Sequence, residues 1–114
     1  MQILIVRESV SLHQLKEIAQ EYYQTLIKGV ADIERDIIAI GGEWHMDANN
    51  LLIADGSIQK DLWGFNILLE EPREEWIEYH SLINIRPAQG NKGMEIKDET
   101  LRQKIKTLIG KRVQ

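Results

Sequence analysis

Leu62-Trp63-Gly64-Phe65-Asn66-Ile67-Leu68-Leu69 and Trp76-Ile77-Glu78-Tyr79-His80-Ser81-Leu82-Ile83-Asn84-Ile85-Arg86 are the two stretches that decide the fold. Both are rich in aromatic and branched residues, the composition of strands. Glu70-Glu71-Pro72-Arg73-Glu74-Glu75 separates them and has the polarity of a solvated loop. Together they predict a long antiparallel hairpin. If the loop sets the register, Phe65 faces Ser81 and Asn66 faces His80. Side chains alternate along a strand, so one face carries Trp63, Phe65, Ile67 and Leu69 with Ile77, Tyr79, Ile83 and Ile85. That face belongs to the core. The other carries Leu62, Gly64, Asn66 and Leu68 with Glu78, His80, Leu82, Asn84 and Arg86, and its polar members gather near one end.

Working outward, Ile3 to Val6 is a short apolar run that fits a buried strand. Ser11 with Gln14 makes a capping box, and Val10 and Leu15 occupy the staple positions. Leu12, Leu15, Ala19, Tyr22 and Leu26 recur at helical spacing, which predicts a helix to about Ile27 with Gly29 as its stop. Val30 to Glu34 and Ile37 to Ile40 predict a second hairpin turning at Arg35-Asp36. Asp47 is expected to cap a short helix carrying Leu51, Leu52 and Ile53, which Gly56 ends. Asp98 caps a last helix with a stripe of Leu101, Ile105, Leu108 and Ile109. The order β-α-β-β-α-β-β-α predicts an α+β fold, a mostly antiparallel sheet of about five strands covered by helices. No linker or repeat divides the chain, so residues 1–114 are expected to form one domain.

Composition narrows the function classes. The 114 residues have 43% hydrophobic and 28% charged side chains, ordinary for a soluble globular domain, and no cysteine. Disulfides, thiolate nucleophiles and zinc–thiolate sites are therefore excluded. There is no apolar run near the ~20 residues of a membrane span and no signal-peptide pattern, so a cytoplasmic protein is expected. Residues 1–85 hold six basic and fifteen acidic groups, a balance of −9, whereas residues 86–114 hold eight and three, a balance of +5. The overall charge of −4 argues against a nucleic-acid footprint.

Two constellations carry candidate chemistry. Asn84 and Arg86 stand two apart on one strand, beside Asn66 and the Gly90-Asn91-Lys92-Gly93 loop. Arginine's planar fork suits carboxylate or phosphate, and glycines let backbone N–H groups turn inward as anion nests do. The expected ligand-binding residues are thus Trp63, Asn66, Asn84, Arg86 and Asn91, with Trp63 as an apolar wall. His45 and Asp47 form the second set; on an extended segment both would point one way and serve as acid and base. With His80 they would make a His/His/Asp metal set. Asp47 already has a capping role, however, and neither a metal nor a cofactor is expected. Ser57 and Ser81 lack a nucleophile elbow. Gly64 beside Trp63 marks a place where a ligand or another backbone comes close.

The segment from Val30 to Ile105 resembles an uncharacterised family of small bacterial and archaeal proteins, a domain of unknown function. The matching residues are Ile40-Gly41-Gly42-Glu43, His45, Asp47, Gly56-Ser57, Asp61-Leu62-Trp63-Gly64 and Asn66, then Ser81-Leu82-Ile83-Asn84-Ile85-Arg86-Pro87, Gly90-Asn91, Asp98 and Arg102. The resemblance covers about two-thirds of the chain and implies that these positions form one unit. It implies no activity, and His80 is not part of its pattern. The residues themselves favour a protein, expected to be a homodimer, that binds a small anionic molecule at the end of the long hairpin. A homo-oligomeric structural protein without ligand is the alternative, in which Asn84 and Arg86 are buried struts. A small hydrolase or nuclease using His45 and Asp47 is another.

Overall fold

A computed structural model describes residues 2–114. Its strands are β1 (Ile3–Val6), β2 (Leu26–Asp32), β3 (Ile37–Gly41), β4 (Leu62–Leu68) and β5 (Ile77–Glu78). The helices are α1 (Leu12–Ala19), α2 (His45–Ala54) and α3 (Glu99–Arg112). The strands form one sheet in the order β1-β3-β2-β4-β5, and every neighbouring pair is antiparallel. The fold is α+β, with the element order expected from the sequence.

Alternation along the strands gives the sheet two apolar faces. Val6, Ile27, Ala31, Ile38, Ile40, Trp63, Phe65 and Ile67 point to one side, where Leu15 and Ile18 of α1 and Ile105, Leu108 and Ile109 of α3 cover them. Val30, Ile37, Ala39 and Leu62 point to the other, under Ala48 and Leu52 of α2, with Ile83 alongside. Both faces are dry, which is why the central strands read as near-continuous apolar runs. Among the described residues no helix is long and apolar enough to cross a membrane.

Three sequence expectations are corrected. The first helix ends at Ala19 rather than near Ile27, and Gln24 turns the chain with φ +61°. Leu26 to Gly29 then enter the sheet between β3 and β4, because burial of Ile27 against Phe65 and Ile67 outweighs the helical spacing of Tyr22 and Leu26. Gly29 is therefore no helix stop. It sits opposite Phe65, whose ring covers it so closely that an added Cβ would lie 2.7 Å from Cε1. Gly29→Ala is expected to cost about 2 kcal/mol by overpacking, read as a lowered urea midpoint with an unchanged slope.

The second correction concerns the expected Trp76–Arg86 strand. Only Ile77–Glu78 pair with β4, with Asn66 opposite Glu78 and Ile67 opposite Ile77. The register is two residues from the expected one, and a slip of two preserves the faces. Beyond Tyr79 the chain leaves the sheet. Ser81 Oγ accepts the Ile83 N–H at 3.2 Å and starts a tight turn at Leu82–Asn84, and a second turn follows at Pro87–Gln89. A short polar side chain has offered the backbone a local partner in place of a strand. Asp47 lies at the third position of α2, not its cap, and its carboxylate accepts the Trp44 N–H at 3.0 Å.

Candidate functional site

The polar residues singled out by sequence fall into two groups. Asn84 is fully buried, and its carboxamide pairs with both backbone groups of Gly64. Oδ1 accepts the Gly64 N–H at 2.8 Å, while Nδ2 donates to the Gly64 carbonyl at 3.0 Å and the Met94 carbonyl at 3.2 Å. The side chain thus does for β4 what a neighbouring strand would do. Gly64 permits this approach, since a Cβ there would lie 2.5 Å from Ser81 Cβ. The close contact expected at this glycine is filled by the chain's own 81–84 turn.

Asn91 and Arg86 extend the same lock. Asn91 Nδ2 lies 2.8–3.0 Å from the carbonyls of Asn84, Gly93 and Glu95, and Oδ1 accepts the Lys97 N–H at 3.1 Å. Arg86 and Asn91 also exchange backbone hydrogen bonds, and the Gly90 N–H goes to the Pro87 carbonyl. Arg86 donates from Nε to Ile83, from Nη1 to Gln59 and Gln89 Oε1, and from Nη2 to the Leu62 carbonyl. Its guanidinium lies 4.1 Å from the centre of the Trp63 ring, a cation–π contact. Burial lowers its pKa from the usual arginine value. Trp63, Asn84, Arg86 and Asn91 are brought together, and the donors of Asn84, Arg86 and Asn91 are directed to carbonyls.

Asn66 and His45 lie elsewhere, in a groove of about 280 Å³ between the start of α2 and the 80–83 segment. Trp44, Met46, Leu82, Ile83 and Met94 form apolar walls, and Lys28, His80 and Ser81 complete the lining. Lys28 pairs with Asn66 across the β2–β4 ladder, so the two share a face. Asn66 Nδ2 donates to Glu78 Oε1 at 2.8 Å and the His80 carbonyl at 3.3 Å. Its Oδ1 is buried without a hydrogen-bond partner while the His45 ring is neutral, and it is the oxygen that would favour a protonated ring. Such an atom costs about 1–3 kcal/mol, so native proteins leave few. His45, the first residue of α2, is 9% exposed, and its Nε2–H donates to the Phe65 carbonyl at 2.9 Å. Burial lowers its pKa to about 4, and nearby Lys28 and His80 push the same way; the Phe65 carbonyl and Asn66 carboxamide oppose them.

His45 and Asp47 do not act as a pair. The segment is helical rather than extended, and residues two apart on a helix do not face each other. Among the described residues no three His, Asp or Glu side chains converge as a metal set. His80 Nδ1 lies 3.5 Å from Glu95. Ser57 Oγ donates to Asp32 Oδ2 at 2.6 Å and accepts from Arg35 Nη1 at 2.7 Å, tying the β2–β3 turn to the end of α2. A larger concavity, about 690 Å³, runs along the solvent side of α3, where Asp36, Glu99, Lys104 and Lys111 mix both signs of charge. It holds none of the buried polar groups. Another, of about 430 Å³, reaches Trp63, Gly90 and Asn91, where the Asn91 carboxamide is already engaged, and we place the candidate site at the 280 Å³ groove.

Lys28, Met46 and Met94 are site residues that the sequence did not give. The helical spacing through Ile27 hides Lys28; continuing β2 backwards from Val30 in steps of two places it beside Asn66. No curated protein and no solved structure matches the chain. A family model does match, over residues 4–112. The chain belongs to DUF5674, a family of proteins of unknown function.

Proposed function

We propose that this protein binds a small anionic molecule with a flat apolar body in the groove between α2 and the 80–83 segment. Asn66 is the observation that carries this reading: its buried carboxamide oxygen has no partner and calls for a ligand N–H or O–H donor, while Lys28 and the absence of a lining carboxylate suit a negative charge on the same molecule. Lys28 makes no salt bridge among the described residues and supplies the positive charge. Trp44, Met46, Leu82 and Met94 suit a planar ring, thioethers and aromatic faces being good partners for one another. The anion site is thereby assigned to Lys28 rather than Arg86.

His45 links binding to protons. Its imidazole is neutral near pH 7 because burial disfavours the charged form. A bound anion offsets that penalty and raises the pKa above about 4, so binding takes up a proton and strengthens as pH falls through the raised value towards 4. Calorimetric titration with benzoate, 4-aminobenzoate and phenyl phosphate tests the reading. At least one is expected to bind, and Lys28→Gln to weaken it about tenfold, the equivalent of one charge-assisted contact. No binding of any of the three at millimolar concentration, or full affinity in Lys28→Gln, would overturn it.

A further inference from the structure

The side of α2 next to the 82–85 segment is uncharged, with Met46 and Ile53 flanking Asn49 and Asn50, where a surface helix is normally charged. Met46 and Ile53, two turns apart on one flank, are 47% and 40% exposed. Beside them stand Trp44, Ile58, Leu82 and Ile85, at 61%, 59%, 69% and 43%. These segments are tied side by side. Asn49 and Gln59 exchange amide hydrogen bonds at 2.7 and 2.9 Å, and Arg86 Nη1 holds the Gln59 carbonyl at 2.8 Å. The carboxylates within residues 44–59 are Asp47 and Asp55; Asp47 binds the Trp44 N–H, and Asp55 is shared by Arg7 and Arg35 at 2.7 Å.

The geometry points to a second copy of this chain as the occupant, in a twofold dimer that packs this strip against itself. Two arguments select a second copy. The six side chains offer on the order of 600 Å² of largely apolar surface, at the upper limit of what one monomer patch shows and approaching the ~800 Å² per partner of a standard interface. In a twofold contact the strip also faces a copy of itself, residue i against j and j against i, so a net charge on it would meet the same sign. This strip brings none. Leu12 and Tyr22, on and just after α1, are exposed singly and need no partner. The dimer has a consequence for the groove, because Trp44, Met46 and Leu82 belong to both. The second copy roofs the groove and shields it from water.

Sedimentation equilibrium of the protein without added small molecules, at about 1 to 100 µM, tests this. The wild type is expected at twice the chain mass. Leu82→Glu and Ile58→Glu, on two separate exposed segments, are each expected to weaken association by at least about 100-fold while retaining the wild-type circular dichroism. A wild type that stays monomeric at 100 µM would overturn the proposal and leave the strip to some other partner. Folded variants that still dimerise would also overturn it. The inference is independent of the anion reading, since dimerisation is measured with no anion probe present.

Discussion

Replacing Asn84 by alanine is expected to lower the unfolding free energy by about 3 to 5 kcal/mol. The carboxamide makes three hydrogen bonds, to the Gly64 N–H, the Gly64 carbonyl and the Met94 carbonyl. Alanine leaves all three groups without this partner at a site from which solvent is excluded. Asn84→Asp should be comparably harmful despite its similar shape. It keeps an acceptor for the Gly64 N–H but aims a second acceptor at two carbonyls. Urea unfolding followed by circular dichroism reads both. A loss below about 1 kcal/mol in Asn84→Ala would mean that the 81–84 turn is not held to β4 by this side chain.

Acidification between about pH 6.5 and pH 4 is expected to cost about 3 kcal/mol through His45 alone. The sign follows from where the proton goes. In the unfolded chain the imidazole titrates at its ordinary value of 6.5, whereas in the folded protein burial holds it at about 4. Below pH 6.5 the unfolded state therefore binds a proton that the folded state refuses, and stability falls until the folded pKa is reached. Above pH 6.5 both states are neutral and the group contributes no slope. His45→Gln keeps a donor for the Phe65 carbonyl and has no proton to take up, so its stability should lose this component. Asp55 is also acid-sensitive, because hydrogen bonds from Arg7 and Arg35 lower its pKa. Its stabilisation is lost only at lower pH, as the medium falls through that lowered value, which separates the two effects. Equal slopes for wild type and His45→Gln between pH 6.5 and 4.5 would contradict the assignment.

The fold was legible wherever one local signal governed a segment. Ser11 with Gln14, Asp98 with the stripe ending at Ile109, and Gly56 beyond α2 each mark an element boundary that the structure shares. The sequence misled where a distant partner decided. Leu26 and Ile27 look helical in isolation, with Gly29 as the stop, and only the strands on both sides of β2 make this segment extended. Leu82 to Asn84 look extended, and it is the Ser81 hydroxyl and the Asn84 carboxamide that fold them into a turn. At the site level, Trp63, Asn66, Asn84, Arg86 and Asn91 were recognisable as unusual. That they separate into a lock whose polar groups satisfy one another and a groove with an unpartnered oxygen was not, because the division depends on a two-residue register and on which carbonyls lie within reach of Arg86.

That division is the central claim, and the three tryptophans can report on it. Trp44 lines the groove and is exposed, Trp63 lies under the Arg86 guanidinium, and Trp76 is buried in the core beneath Arg73. Titrating ¹⁵N-labelled protein with 4-aminobenzoate, a flat ring with a carboxylate and N–H donors, places the site through the indole N–H resonances. The account predicts that the Trp44 signal shifts saturably while those of Trp63 and Trp76 stay in place, and that Lys28→Gln suppresses the shift. A saturable shift of Trp63 with Trp44 unmoved would return the anion to Arg86 and contradict the account.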